Sequence, residues 1–283
     1  MNIQEVQSNI TPQWCPGCGN FGILMAMKQA LVDLNLPTHE TVVVSGIGCS
    51  GKTPHYLKTY GFESIHGRAL PPASAINLVN PNLKVIVNGG DGDGYGIGLN
   101  HFVQAMRRNF DLTYLVHDNQ IYGLTKGQYS PTSAKHTISK TSPAPDGSLE
   151  EPINPLRLAL DSGATFIARG FAGDVKQLTE LIKQAIQHKG FALIDILQPC
   201  VTFNKINTYQ WYQQRVKPIE VAPDTKEKAW ELMGQWGDEI PTGIFWQEEK
   251  PDYRSELSHV SGKTLIRDKF DDIDISKILE KMM

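Results

Sequence analysis

The sequence predicts an α/β fold, in which a mostly parallel β-sheet is flanked by helices, followed by a C-terminal extension. Two observations support this class. Short runs rich in β-branched residues alternate with segments of helical periodicity, and polar or glycine-rich turns follow several of these runs. With 283 residues, 40% of them apolar and 20% charged, the chain can bury a large core. We expect residues 1–208 to form the α/β domain and residues 209–283 the extension.

The first half of the chain predicts a βαβ arrangement. A buried strand is expected at residues 41–45, and a second at residues 83–88 leads into a glycine-rich turn. A helix over residues 100–108 and a third strand at residues 112–117 follow. This order of elements implies parallel strands with right-handed crossovers, and therefore ligands at the carboxyl ends of the strands.

The second half begins with a long irregular segment. Residues 130–155 are rich in Pro, Ser, Thr and Gly and lack periodicity, so we expect a surface loop that orders over a ligand or partner. Regular structure resumes with a strand, a helix and a strand, at residues 165–168, 175–187 and 191–197. The extension carries helical patterns near residues 226–236 and 275–282.

Charge and hydropathy exclude two classes of partner. With a net charge of -3, the chain lacks the excess of positive charge that is typical of nucleic-acid-binding proteins. No apolar run approaches the roughly 20 residues that a membrane-spanning helix needs. The N-terminal segment lacks a basic patch followed by an apolar stretch, so we expect a cytoplasmic protein.

Four cysteines indicate metal or redox chemistry. Cys15 and Cys18 form a Cys-x-x-Cys clip just before a helix predicted over residues 21–31, which Asn20 is expected to cap. Cysteines 49 and 200 each follow a predicted strand. The clip spacing and a reducing compartment favour metal binding over two disulfides. An iron-sulfur cluster is favoured over zinc, since the two distant cysteines do not form the second clip of a zinc ribbon.

A second motif indicates a bound diphosphate. Gly90, Asp91, Gly92 and Asp93 come directly after a predicted strand, and Asn119 ends the next. A carboxylate and an amide oxygen are ligands that magnesium accepts, and the glycines let the backbone approach a diphosphate. An ordinary Asp-Gly turn is the plain alternative, but the flanking strands favour a site. The motif resembles the signature for thiamine diphosphate, and both cofactors together suit oxidative decarboxylation of a 2-oxoacid.

These runs together resemble the β subunits of 2-oxoacid:ferredoxin oxidoreductases, from residue 14 to about residue 200. The likeness is carried by residues 14–19, 46–50, 66–68, 90–93 and 119–125. It implies that a 4Fe-4S cluster is ligated by Cys15, Cys18, Cys49 and Cys200. It also implies contacts to thiamine diphosphate from Ile47, Gly48, Cys49, Ser50, His66, Gly67, Arg68, Ala69, Gly92, Asp93, Gly123 and Leu124, beside Gly90.

The resemblance also assigns a magnesium ion and two candidate catalytic residues. The ion would be held by Asp91, Asn119 and the backbone carbonyl of Ile121. Lys52 is a candidate to present a cation to the substrate carboxylate, although a lysine in a polar loop is often merely solvated. Arg68 is a candidate for phosphate or substrate contact, with an interface ion pair as its alternative.

The implied reaction converts a 2-oxoacid and coenzyme A to acyl-CoA and carbon dioxide, with electrons passing through the cluster to ferredoxin. Residues 123–128 look most like the 2-oxoglutarate or broad-specificity members, so 2-oxoglutarate ranks first and pyruvate or a broad range second. Since one α/β unit of the diphosphate-binding type is predicted, an α subunit with the pyrimidine-binding domain is expected. A non-oxidative thiamine enzyme fragment and an iron-sulfur assembly protein remain as alternatives.

Overall fold

The computed structural model describes residues 1–260, 264–265, 274 and 276–282. The described strands are β1 Thr41–Ser45, β2 Tyr60–Glu63, β3 Lys84–Gly90, β4 Leu112–Asp118, β5 Ile121–Tyr122, β6 Gln128–Tyr129, β7 Phe166–Phe171, β8 Phe191–Leu197, β9 Val216–Pro218 and β10 Ile240–Gln247. The α-helices are α1 Ile3–Val6, α2 Asn20–Asp33, α3 Leu70–Val79, α4 Leu99–Arg107, α5 Pro155–Asp161, α6 Val175–Gln187, α7 Tyr209–Gln213, α8 Lys226–Met233, α9 Tyr253–Glu256 and α10 Ser276–Met282. Tighter or wider helical turns occupy Thr38–Glu40, Ser50–Tyr56 and Gly92–Ile97.

The fold is built on one mostly parallel sheet. Its eight strands lie in the order β2-β1-β3-β4-β8-β7-β10-β9, and every neighbouring pair is parallel except β10 with β7. Strands β5 and β6 form a separate antiparallel pair. Helices cover both faces of the large sheet, which confirms the predicted α/β class.

The core lies in two apolar layers, one on each face of the sheet. Val43 faces the layer that includes α2 and α6, whereas Val42 and Val44 face the layer that includes α3, α4, α5 and α8. Because side chains alternate between faces and both faces are covered, a central strand is apolar throughout. This burial on both faces explains why the Thr-Val-Val-Val run was a clear strand signal.

The predicted cap of the second helix is wrong. Gly19 is the N-cap of α2, and no side chain caps this end. Asn20 lies inside the helix and is buried, with its Oδ1 2.8 Å from Nδ1 of His117. Asparagine is a common cap residue, but here the hydrogen bond to a buried histidine on β4 takes the side chain into the core.

The C-terminal region extends the same sheet. Strand β10 pairs with β7 of the central sheet and with β9, so residues after 209 continue the α/β layer. The division between residues 208 and 209 stays a prediction. The predicted final helix agrees with α10, although Ile275 lies outside the described residues, as do residues 261–263, 266–273 and 283 of the extension. Among the described helices, none combines the length and apolar character needed to cross a bilayer.

Candidate active site

Two neighbouring cavities lie at the carboxyl edge of the central strands. The first, which we term the carboxylate cavity, has a volume of about 120 Å³ and is lined by Ile47, Gly48, Cys49, Ser50, His66, Gly90, Asp91, Gly92, Asp93, Asn119, Ile121, Tyr122, Gly123, Leu124 and Thr125. The second, the cysteine cavity, has a volume of about 210 Å³ and is lined by Gln13, Trp14, Cys15, Cys18, Cys49, Lys52, Asn119, Gly123, Leu124, Gln198, Cys200, Val201, Thr202 and Phe203. The structure thus brings most of the predicted site residues together.

The two cavities share a wall. Cys49, Asn119, Gly123 and Leu124 line both of them. A Cβ atom added to Gly123 would lie 3.7 Å from the sulfur of Cys49 and 3.7 Å from that of Cys200. One layer of residues therefore separates the space beside the aspartates from the space between the thiols.

Asp93 fastens three segments of the carboxylate cavity together. Its Oδ1 accepts hydrogen bonds from the backbone N–H of Ile47 at 3.0 Å and of Gly67 at 2.8 Å, and lies 2.7 Å from Nδ1 of His66. Its Oδ2 is buried without a hydrogen-bond partner. A Cβ at Gly46 would come within 1.8 Å of Oδ2, so glycine is required where the chain leaves β1.

Asp91 is held by the long loop that follows β6. Its Oδ2 accepts hydrogen bonds from the hydroxyls of Ser130 at 2.5 Å and Thr132 at 2.7 Å. Burial raises the pKa of Asp91, and these two hydrogen bonds oppose that shift. The hydroxyl of Thr132 also lies 2.8 Å from Oδ1 of Asp118. The sequence analysis did not identify Ser130 or Thr132 as site residues. The one relevant expectation was that residues 130–155 order over a ligand or partner.

Asn119 adopts a fixed orientation at the shared wall. Its Oδ1 accepts from the backbone N–H of Ile121 at 3.0 Å, and its Nδ2 donates to Oε1 of Gln198 at 2.8 Å. Tyr122 donates a hydrogen bond from its hydroxyl to the carbonyl of Gly92 at 2.9 Å. Tyr122 and Thr125 were not predicted as site residues, although both fall within the run at residues 119–125 that carried the family resemblance.

The four thiols are free and differ in their surroundings. Cys15 is exposed, whereas burial raises the pKa of Cys18 to about 12. Burial also raises the pKa of Cys49, the nearby Cys200 adds to this shift, and the cation of Lys52 opposes it. The indole of Trp14 donates a hydrogen bond to the carbonyl of Cys49 at 2.7 Å, which fixes the clip against the third cysteine.

Three predicted cofactor contacts lie outside the lining of the carboxylate cavity. Gly67 reaches it only through its N–H to Asp93, and Ala69 is buried as the N-cap of α3. The guanidinium of Arg68 donates to the carbonyl of Gly67 at 3.3 Å. Lys52 lines the cysteine cavity. The roles assigned to these residues stay predictions.

Comparison with family models divides the chain into two matched regions. Residues 38–196 match the thiamine pyrophosphate enzyme C-terminal TPP binding domain, which confirms the predicted thiamine diphosphate cofactor. Residues 200–262 match the C-terminal region of the pyruvate ferredoxin oxidoreductase beta subunit.

Individual relatives agree with these matches. The chain is 52% identical over 266 residues to the 2-oxoacid:ferredoxin oxidoreductase subunit beta of Sulfolobus sp, covering 87% of each. It is 39% identical over 247 residues to the 2-oxoglutarate synthase subunit KorB of Archaeoglobus fulgidus, covering 86% of this chain and 88% of that relative. A solved 2-oxoglutarate:ferredoxin oxidoreductase from Magnetococcus marinus matches with a TM-score of 0.91 and 39% identity, over 100% of this chain and 96% of that one. The resemblance inferred from the motifs is confirmed, and the chain belongs to the β subunits of the 2-oxoacid:ferredoxin oxidoreductases.

Proposed function

We propose that this chain binds thiamine diphosphate and magnesium, carries a 4Fe-4S cluster, and works with an α subunit to oxidise a 2-oxoacid to acyl-CoA and carbon dioxide. The shared wall formed by Cys49, Asn119, Gly123 and Leu124 carries the proposal. Electron transfer falls off steeply with distance, so a donor bound in one cavity and an acceptor bound in the other would be close enough to exchange electrons directly.

The carboxylate cavity suits a diphosphate that is bridged by magnesium. Asp91 and Asp93 are buried, and none of the described residues that line this cavity is a lysine or arginine. A diphosphate would be repelled by these carboxylates unless a divalent cation lay between them. The carboxylate of Asp91, the amide oxygen of Asn119 and the carbonyl of Ile121 are hard oxygen ligands of the kind that magnesium prefers.

The small size of the carboxylate cavity supports a partner subunit. Its volume of about 120 Å³ is below the ~300 Å³ at the lower end of small-molecule sites. It therefore suits the diphosphate end of the cofactor alone. An α subunit with a pyrimidine-binding domain would enclose the remainder, in αβ or (αβ)₂ assemblies.

The cysteine cavity suits a cluster better than a single ion. Tetrahedral zinc, with bonds of about 2.3 Å, draws its four sulfurs to within about 3.8 Å of one another. Within the described part of the chain, no three His, Cys, Asp or Glu side chains lie close enough to hold one ion, yet all four cysteines line one cavity. We assign the 4Fe-4S cluster to Cys15, Cys18, Cys49 and Cys200.

Bound thiamine diphosphate supplies the electron sink that permits a 2-oxoacid to lose carbon dioxide. The residues of this chain would hold and orient the cofactor and the substrate. Asp93 fixes the backbone at Ile47, which lines the carboxylate cavity, and at Gly67. Lys52, on the wall of the cysteine cavity, would offer a cation to the substrate carboxylate. Arg68 lies outside the lining of the carboxylate cavity, so its proposed contact is with the substrate or with a phosphate beyond that lining.

We favour 2-oxoglutarate as the substrate, with pyruvate or a broad range as the alternative. The solved Magnetococcus protein contains 2-oxoglutarate, coenzyme A and succinyl-CoA, and the Archaeoglobus relative is named a 2-oxoglutarate synthase subunit. The more general name of the Sulfolobus relative supports the alternative. Ferredoxin as electron acceptor and a cytoplasmic location complete the proposal.

The test begins with anaerobic purification of the chain together with its α subunit. We expect about four iron and four sulfide per chain, bound thiamine diphosphate, and viologen reduction that requires coenzyme A and is fastest with 2-oxoglutarate. The chain alone should contain the cluster but release no carbon dioxide from any 2-oxoacid. Zinc instead of iron would contradict the cluster, iron without thiamine would favour an assembly protein, and decarboxylation without iron would favour a non-oxidative enzyme.

A further inference from the structure

Gln198 lines the cysteine cavity, contacts Asn119 of the shared wall, and is almost completely buried, with 1% of its surface exposed. It follows β8 directly, and its backbone N–H donates to the carbonyl of Asp118 at 2.8 Å. The neighbouring Pro199 accepts a hydrogen bond from the backbone N–H of Gly19 at 3.1 Å. The backbone on both sides of this side chain is therefore anchored to the segments that carry the two motifs.

The side-chain amide of Gln198 connects a residue of each site. Its Oε1 accepts from Nδ2 of Asn119 at 2.8 Å, while its Nε2 donates to the carbonyl of Pro199 at 2.8 Å and to the sulfur of Cys18 at 3.4 Å. Both N–H groups and the oxygen are thus used, as a buried amide requires.

The direction of this hydrogen-bond chain is fixed at both ends. Asn119 must present its Oδ1 to the backbone N–H of Ile121, which leaves its NH₂ group to face Gln198. If the Gln198 amide were reversed, its oxygen would face the carbonyl oxygen of Pro199, and its NH₂ group would face the NH₂ group of Asn119. The amide of Gln198 therefore turns a donor toward Cys18.

The glycine after the clip makes this contact possible. A Cβ atom at Gly19 would lie 2.8 Å from Cγ of Gln198 and 3.0 Å from Cδ of Pro199. Contacts this short require one of the partners to move, and both belong to a buried, hydrogen-bonded segment. The need for glycine at this position thus follows from the packing of Gln198 against the clip.

We propose that Gln198 is a positioning residue that couples the two sites, a role that rests on the proposed function of Cys18 and Asn119 as ligands. An N–H donor to a ligating sulfur stabilises the more negative, reduced cluster and so raises its reduction potential. The side-chain oxygen of Gln198 fixes the orientation of the Asn119 amide, so that the Oδ1 of Asn119 would be available to magnesium, as outer-shell partners of metal ligands do.

The experiment compares Gln198→Met and Gln198→Glu in the complex with the α subunit. The methionine variant keeps the approximate length but removes both interactions, so we expect a lower cluster potential and about tenfold weaker magnesium-dependent binding of thiamine diphosphate. The glutamate variant keeps an acceptor for Asn119, so we expect a lower potential with the affinity within about twofold of the original. The exposed Gln187→Met on α6 is the control.

The readouts are a redox titration followed by electron paramagnetic resonance and a calorimetric titration of the cofactor. If Gln198→Met does not fold, Gln198→Leu, which also lacks the amide and adds no charge, decides whether the potential falls. An unchanged potential in the folded apolar variant, with the cluster intact, would overturn this inference and leave the proposed function standing. Absence of iron from the unsubstituted complex would instead overturn the proposed function.

Discussion

The carboxylate cavity and the cysteine cavity differ in how far the protein alone completes them. Asp93 accepts two backbone hydrogen bonds and contacts His66, and Asp91 accepts two from hydroxyls. By contrast, among the described side chains only Gln198 donates a hydrogen bond to a cysteine sulfur. The difference indicates that the protein organises these carboxylates by its own hydrogen bonds, whereas the thiols would be held together by the proposed cluster.

The layers behind the two cavities differ as well. Trp14 and Cys18 belong to the apolar layer around α2 and α6. Behind the carboxylate cavity lie the buried Asp118 and Asp195, together with Arg169, whose Nε is 3.6 Å from Oδ2 of Asp195. An apolar wall would limit the access of water to the proposed cluster, while the charges of the network would interact with a cation bound beside the aspartates.

Removal of one thiol should give the largest effect in the molecule. In Cys200→Ala we expect complete loss of iron and sulfide, because an open iron site in a thiolate-held cluster is exposed to exchange and oxidation. Magnesium-dependent binding of thiamine diphosphate should persist, since the carboxylate cavity is organised without the cluster. Iron analysis and calorimetry measure the two quantities. Thr202→Ala, on the wall of the cysteine cavity, is the control, and full retention of iron in Cys200→Ala would contradict the ligand assignment.

Removal of a proposed magnesium ligand should give the second largest effect. Loss of one partner of a buried charge pair costs about 3–5 kcal/mol, so Asp91→Ala should weaken binding of thiamine diphosphate on the order of 1,000-fold in the presence of magnesium. Asp93→Asn should also weaken binding, but by the same factor at every magnesium concentration, because Asp93 clamps backbone rather than metal. Calorimetric titrations across magnesium concentrations distinguish the two variants. Equal magnesium dependence in both variants would contradict the different roles of Asp91 as a metal ligand and Asp93 as a backbone anchor.

The charged network behind the carboxylate cavity should give a pH-dependent stability. Burial, opposed by Arg169 and Tyr95, raises the pKa of Asp195 from 3.8 to about 6. As the pH rises through this window, the unfolded chain loses the proton first, so the contribution of Asp195 to stability is fully present below pH 3.8 and declines by about 3 kcal/mol as the pH approaches 6. The raised pKa of Asp118 acts in the same direction and the lowered pKa of the buried His117 in the opposite one, so the contribution of Asp195 is measured as a difference between two proteins. Urea unfolding from pH 4 to 7 measures the free energy of unfolding.

The variant Asp195→Asn removes one titrating carboxyl, so the free energy of unfolding of the original protein minus that of the variant should decline from pH 4 to 7. The exposed Asp146→Asn controls for the chemical change, and its difference from the original protein should stay constant with pH. A constant difference for Asp195→Asn as well would contradict the raised pKa of Asp195.

The sequence predicted the parts of both cavities that are local in the chain. Asp91 follows β3 and Asn119 follows β4, and adjacent parallel strands bring such turns together. It did not predict Ser130 or Thr132, because the hydrogen bonds of an irregular loop to Asp91 depend on tertiary structure. Strand β10 was missed for a local reason, since its proline and glycine weaken the strand pattern.

Thr132 offers the finest test of the comparison, because its single hydroxyl stands between two buried carboxylates. Its oxygen lies 2.7 Å from Oδ2 of Asp91 and 2.8 Å from Oδ1 of Asp118. One hydroxyl proton can serve only one of these acceptors at a time, so this contact ties the orientation of Asp91 to the network behind it.

Thr132→Val keeps the shape of the side chain and removes the hydroxyl, which leaves Ser130 as the remaining side-chain donor to Asp91. We expect about tenfold weaker magnesium-dependent binding of thiamine diphosphate, the loss that removal of an outer-shell partner typically causes. Iron and sulfide should stay unchanged, because Thr132 does not line the cysteine cavity. The same substitution in that cavity, Thr202→Val, should leave cofactor affinity unaltered. Parallel loss of cluster and cofactor in Thr132→Val would mean that the two cavities are organised as one unit, and their contrast would then lie only in their ligands.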